Sequence, residues 1–380
     1  MFNKDRNLFR LTRFLLLKLP LLFRFFAKFR KAEKRLLIIK TDAIGDYILF
    51  RNFIEVVKSS AAYNDHQVDL LGNVLWQDIA LKYDAAYINQ FIFIKAGPMF
   101  TQPIKIFKLA WRLFRANYEV ALQPSSTRTF ISDSFAGFTA AKQIIAFESN
   151  NEGILARYKK KTDKFYTQRL LLPAGVYFEF ERSKFFFDSF LNTANNNGAT
   201  SIPVIKTSEG GIVIFPGAGV FGREWGKENF TALIKQIKQH STCQVYLAGG
   251  PGEAVIGEFI VANLPSGSVI SLIGQSTLPQ LIELVGQAAL VIANETSAIH
   301  IAVATKTKSV CILGGGHFER FAPYPAYFEY APVCVFEKMD CYYCNWGCIY
   351  KPAATEVYPC IGKIGLQNVW NAVLPLLPGE

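Results

Sequence analysis

No apolar run near the N-terminus approaches the roughly 18 residues needed to cross a bilayer, because Lys18 and Arg24 interrupt it. The same interruptions, and the want of a small-residue cleavage site after them, argue against a secretory signal peptide. No Gly-rich loop ends in Gly-Lys-Ser/Thr, which excludes a Walker phosphate loop. GAGVFG (217–222) superficially matches a dinucleotide fingerprint, but Arg223 and Trp225 follow it where an apolar helix is required. Most of the chain also lacks net charge. Of the formal +11, residues 1–35 hold eleven Lys/Arg against Asp5 and Glu33, and the remainder holds 30 against 28. A body so near neutrality carries no electrostatic footprint for nucleic acid.

What is present starts with NLFRLTRFLLLKLPLLFRFFAKFRK, in which Arg6, Arg10 and Arg13, then Arg24, Lys28, Lys31 and Arg35, recur at spacings of three and four. Phe and Leu fill much of the remaining surface. The pattern predicts a basic amphipathic segment over 1–35, divided at Pro20 into two helices and lying in an anionic membrane interface. A basic helix packed on its own protein is the alternative. The membrane reading puts the protein in the cytoplasm, peripheral on the inner face of the cytoplasmic membrane.

Beyond residue 35, strands alternate with helices. LLII (36–39), QVDLLG (67–72) and EVALQPSS (119–126) form one series; GIVIFPGAG (211–219), CQVYLAGGPGE (243–253), LVIAN (290–294) and SVCILGG form another. This predicts an α/β fold of two Rossmann-like, doubly wound parallel-sheet domains, 36–200 and 201–362, facing across a cleft. NTANNNGATSIP (192–203) reads as the linker. In the terminal segment 363–380, a helix is expected to pack back on the first domain.

LVIANETSAIHIAVAT (290–305) reads as a buried strand, a polar turn and a small-residue helix. Asn294, Glu295, Thr296, Ser297 and His300 then stand where open α/β sheets bind ligands, beyond a strand's carboxyl end. On the plainer reading Thr296 caps the helix and His300 is a satisfied core histidine. PGAGVFGREW (216–225) sets Gly217, Gly219 and Arg223 after a strand, and Arg223 suits a phosphate. LAGGPGE (247–253) repeats the arrangement with Gly249, Gly250 and Glu253. In KTDAIGD (40–46), Gly45 lets the chain turn, and Asp46 is either a helix cap or a general base. Cys341-x2-Cys344-x3-Cys348-x11-Cys360 has the spacing of a structural zinc site, with reduced thiols or a disulfide as alternatives. Cys243 and Cys311 lie in apolar runs and read as core residues.

In order and spacing these stretches, with YEVALQPSSTR (118–128), resemble glycosyltransferase family 9, the heptosyltransferase-like enzymes, from about residue 36 to the end. The resemblance implies a GT-B architecture, with the donor bound mainly by the second domain and the acceptor by the first. It further implies inverting, metal-independent transfer from a nucleotide-sugar to a lipid-linked cell-surface glycan such as lipopolysaccharide, with no cofactor required. Asp46 matches the proposed base, Lys40 a lysine near the reaction centre, and Arg223 the cation that neutralises the donor diphosphate. Glu253 matches a nucleoside contact, Thr296 and His300 the donor turn, and Ser126 and Arg128 fall on the acceptor side. The family's usual Asn-Asp-Ser/Thr-Gly-Pro-x-His is here Asn294-Glu295-Thr296-Ser297-Ala298-Ile299-His300, so the donor sugar does not follow from the resemblance. A nucleotide-sugar epimerase of the same architecture and a non-catalytic nucleotide-sugar-binding relative are the rival readings.

Overall fold

Parallel sheets covered on both faces need nearly continuous apolar strands, and the strands of this chain have that character. In a computed structural model, which describes residues 2–148, 151–194, 198–206 and 210–378, twelve strands form two sheets. The first contains β1 (Glu33–Lys40), β2 (Gln67–Asn73), β3 (Gln90–Ile94), β4 (Tyr118–Gln123), β5 (Gln143–Phe147) and β6 (Gln168–Leu170). Their order is β3-β2-β1-β4-β5-β6, every pairing parallel. The second contains β7 (Ile212–Phe215), β8 (Val245–Leu247), β9 (Val269–Ser271), β10 (Leu290–Asn294), β11 (Ser309–Ile312) and β12 (Val333–Val335). Its order is β12-β11-β10-β7-β8-β9, again wholly parallel. Both have the doubly wound order whose direction reverses beside the first strand, and that reversal opens a crevice at the carboxyl ends. The crevice lies between β1 and β4 in one sheet and between β7 and β10 in the other.

The chain divides into two compact units, residues 1–176 with 180–197, and 177–179 with 198–380. Residues 195–197, in the middle of the expected linker, lie outside the described residues.

The N-terminal segment departs from expectation. It is one helix, Phe2–Ala27, with Pro20 inside it. Proline removes one helical hydrogen bond, but here its ring sits against Gly137, where a Cβ would come within 2.8 Å of the proline Cβ. The helix docks on its own unit, against the helices Pro103–Arg115 and Phe130–Thr139. Leu16, Leu19 and Phe23 are buried there, and Phe23 stacks on Phe114 at 4.4 Å. At about 2 kcal/mol for each buried side chain, the three contribute roughly 6 kcal/mol. Arg24 donates to the Lys164 carbonyl at 2.8 Å, and Arg30 to the Thr139 carbonyl at 2.6 Å. The opposite side remains apolar and basic, with Phe14, Leu22, Phe25 and Phe26 each about half exposed. No helix among the described residues is long and apolar enough to cross a membrane.

The helix Leu366–Val373, expected on the first domain, has its buried face on the second unit instead. Val369, Trp370 and Val373 pack over β11, β12 and the helix Lys227–His240, and Trp370 meets the His240 ring at 4.9 Å.

Candidate active site

In the first unit the loop after β1 is held by side chains at and just beyond the ends of the neighbouring strands β2 and β4. Asn73, at the end of β2, donates to the Thr41 carbonyl at 3.1 Å, and Trp76 Nε1 donates to the Asp42 carbonyl at 3.1 Å. Trp76 fits because position 72 is glycine: a Cβ there would lie 2.1 Å from the indole. Lys40 is wholly buried, ion-paired to Asp42 at 2.8 Å and 3.4 Å from Ser125 Oγ, and Ser125 also bonds Asp42. That position lets Lys40 hold the loop.

Asp46 follows on the first turn of the helix Ile44–Phe50, half-buried. The N-cap position is Ala43, three residues before Asp46. A carboxylate in a first turn is favoured in its ionised form by the helix dipole. Behind it, Tyr47 stacks on Trp76 at 3.8 Å and donates to Asp84 at 2.7 Å. Arg51 pairs with the same carboxylate at 2.7 Å. Asp46 is thus carried on a rigid turn at the carboxyl end of β1.

The acceptor-side expectations divide. Ser126 lies in the loop beyond β4 and accepts a hydrogen bond from Arg182 at 3.0 Å. Arg128 has no accessible surface: its guanidinium reaches Asp133 at 2.7 Å and Asp163 at 2.8 Å and faces the Tyr166 ring. An acceptor cannot meet it there. Arg128 is a core ion pair that clamps the loop to two helical segments.

In the second unit the glycines and their acidic neighbour converge. Glu253 accepts from the Gly250 N–H at 2.9 Å. A Cβ on Gly217 would fall 2.4 Å from its carboxylate, and one on Gly249 1.8 Å from Oε2. Glycine is required at both positions for the loops after β7 and β8 to enclose that carboxylate. Gly219 has nothing within 4 Å of such a Cβ, so its surroundings are open. Burial raises the Glu253 pKa against the opposing hydrogen bond from Gly250, and nearby Glu224 raises it further.

Asn294 is fully buried, and its whole amide is used. Nδ2 donates to the Pro216 and Gly217 carbonyls at 2.9 and 3.1 Å, and Oδ1 accepts from the Trp225 N–H at 3.1 Å. It ties the Gly-rich loop to β10, and its side chain has no surface open to a donor. Thr296 is the N-cap of the helix Ser297–Ala304, accepting from Ala298 N–H at 3.4 Å, and half-buried Ser297 opens that helix. His300 is buried with Nδ1 2.6 Å from Tyr324 Oη, and burial lowers its pKa to about 4. A buried, neutral ring with Nδ1 engaged fits the plainer of the two readings.

Arg223 and Glu295 are different. The Arg223 guanidinium lies 4.1 Å over the Trp346 ring, and its Nε is buried without a hydrogen-bond partner. Glu295 Oε2 is likewise buried and unpartnered. Burial raises the Glu295 pKa to about 8, with Arg223 pulling the other way, and burial lowers that of Arg223. Stacking occupies the face of the guanidinium but leaves its N–H edge for an anion.

Trp346 is a site residue that sequence reasoning missed. Its Nε1 donates to His317 Nδ1 at 3.2 Å, and its indole fills the space over Gly314 and Gly316. The available signal was Gly314–Gly316 directly after β11, a third glycine-rich loop at the same sheet edge. Tyr358 likewise backs Gly222 and bonds its carbonyl at 2.8 Å.

The four cysteines of the expected zinc site lie on one side of the Gly314–Gly316 loop. Cys341, Cys344, Cys348 and Cys360 line one narrow cavity as free thiols. No three His, Cys, Asp or Glu among the described residues gather closely enough to hold a metal ion.

A model of glycosyltransferase family 9 (heptosyltransferase) matches residues 106–331. No curated protein matches the chain in sequence. Among solved structures, the ADP-heptose lipopolysaccharide heptosyltransferase II of E. coli is 16% identical with a TM-score of 0.67, over 90% of this chain and 98% of that one. A family 9 glycosyl transferase from Veillonella parvula is 15% identical with a TM-score of 0.71, over 91% and 98%. The UDP-GlcNAc 2-epimerase of Methanocaldococcus jannaschii is 10% identical with a TM-score of 0.53, over 91% and 93%. The shared architecture is the GT-B fold.

Proposed function

The chain belongs to glycosyltransferase family 9, and from that premise we propose that it moves a sugar, heptose or a relative, from a nucleotide-sugar to a hydroxyl of a lipid-linked glycan, with inversion. The observation that carries the reading is the pair of partnerless buried polar atoms, Arg223 Nε and Glu295 Oε2, at the carboxyl edge of the second sheet. Buried polar atoms without partners are expensive, and a diphosphate at this edge would satisfy the arginine. The heptosyltransferase likeness makes an ADP-linked sugar the first donor to try.

In this mechanism Asp46 accepts the proton of the acceptor hydroxyl, whose oxygen attacks the anomeric carbon from the face opposite the diphosphate. The bond from that carbon to the phosphate oxygen breaks as the glycosidic bond forms. The nucleoside diphosphate leaves with the electron pair. Arg223 and the N–H groups opening the helix Ser297–Ala304 stabilise its growing charge by electrostatic preorganisation, without a metal. Lys40 acts as a positioning residue that holds the loop before Asp46. The exposed apolar and basic side of the N-terminal helix sets the enzyme on an anionic membrane surface, where a lipid-linked acceptor is met.

Release of nucleoside diphosphate in the presence and absence of a membrane glycolipid extract tests the reading. Acceptor-dependent release is expected. Release without acceptor would favour the epimerase chemistry that the fold likeness keeps in view.

A further inference from the structure

The basic residues of the N-terminal helix do not merely coat its exposed side. Arg10, Arg13 and Lys18 from that helix, with Arg157 and Lys161 from the helix Ala156–Thr162, line one open cavity of about 470 Å³. No carboxylate lines the cavity, and none of the five cations is ion-paired among the described residues. Their mutual repulsion opposes the docking of one helix on the other, unless an anion sits between them.

The walls are held in place. Arg13 donates to Tyr158 Oη at 3.3 Å across the two helices. The Tyr158 ring stacks on Phe130 at 4.7 Å, and the Arg157 guanidinium stands 5.0 Å over the same ring. Three guanidiniums with planar donor edges suit phosphate in particular. Phe14 and Leu17 line the same cavity, and Phe14 is 57% exposed. A ligand here is therefore offered cations and apolar surface together, on the side of the helix where Leu22, Phe25 and Phe26 are also exposed.

We propose that this cavity is a headgroup site for an anionic membrane lipid bearing a phosphate monoester. Its phosphate would lie among Arg10, Arg13, Arg157 and Lys161, and its acyl chains along Phe14 and Leu17. The site rests on the membrane-surface reading above and sharpens it, since a general basic coat attracts any anionic lipid whereas this cavity selects a compact, doubly charged phosphate.

Co-sedimentation of the full-length protein with phosphatidylcholine vesicles carrying phosphatidic acid or phosphatidylglycerol, matched in surface charge, tests it. Wild type is expected to bind the phosphatidic acid vesicles about 10-fold more tightly. R157A/K161A, which leaves the N-terminal helix untouched, is expected to lose that preference. K28A/K31A removes the same charge from the tail and is expected to weaken binding to both vesicle types equally, by about 30-fold. Unchanged melting temperatures will show that the variants are folded. If wild type binds both anionic vesicles alike, or the two double variants behave alike, the headgroup site is overturned while membrane attachment stands. If wild type binds no vesicle, both fall.

Discussion

The two sheets share one strand order, yet they treat the charges at their carboxyl edges in opposite ways. In the first unit those charges are neutralised by their neighbours: Lys40 by Asp42, Arg51 by Asp84, Arg128 by Asp133 and Asp163. In the second, half-buried Arg223 and Glu295 each leave one buried atom unpartnered, and the pKa values of Glu253 and Glu295 are raised by burial. Paired charges give a rigid frame, here the one that carries Asp46. Unpaired ones weaken the folded state and favour whatever ligand completes them. On the proposed function, the first edge holds the base Asp46 still and the second receives the diphosphate.

The largest effect is expected where a pair is broken. Arg128→Ala leaves Asp133 buried and uncompensated and should cost about 3–5 kcal/mol, read as a lowered denaturation midpoint, with no separate effect on nucleotide affinity in the folded fraction. Next comes His300. Burial lowers its folded pKa to about 4, so as pH falls below about 6.5 the unfolded chain takes up the proton first. Stability is fully present above that pH and should be lost progressively down to pH 4, by on the order of 3 kcal/mol. Urea midpoints across that range will measure it, and His300→Gln should flatten the slope.

The second edge should behave in the reverse manner. Arg223→Ala removes a guanidinium whose fold contact is its stacking on Trp346, so stability should fall by only about 1 kcal/mol. Nucleoside diphosphate affinity by calorimetry should fall roughly 30-fold, about 2 kcal/mol for a charge-assisted contact. The smallest effect belongs to Glu295, whose carboxyl stays protonated until about pH 8. Above that pH it ionises, pairs with Arg223 and competes with the diphosphate, so wild-type affinity should drop about 5-fold, on the order of 1 kcal/mol. Glu295→Gln should remove the drop.

The framework was legible in the sequence because parallel strands are buried on both faces and read as apolar runs, as in IVIF and LVIAN. Gly217, Gly249 and Glu253 were legible as a group because each loop directly follows a strand. Other roles depended on tertiary partners that lie far along the chain. Asn294 and His300 read as ligand residues, but Trp225 and Pro216 engage the amide of Asn294, and Tyr324 engages Nδ1 of His300. Arg128 looked accessible until Asp163, 35 residues away, was found against it. Trp346 carried no local signal, since only the fold sets it beneath Arg223. Pro20 pointed to a helix break because local rules say so, and packing on Gly137 overrides them.

The division of labour between a rigid base and a waiting anion site is tested most directly by Asp46→Asn, with donor affinity and sugar transfer measured on the same preparation. Donor binding should be unchanged while transfer falls by about 10²–10⁴-fold, the loss expected when a general base is removed. Transfer that survives the substitution would contradict the account, as would a loss of transfer that merely follows a loss of donor binding.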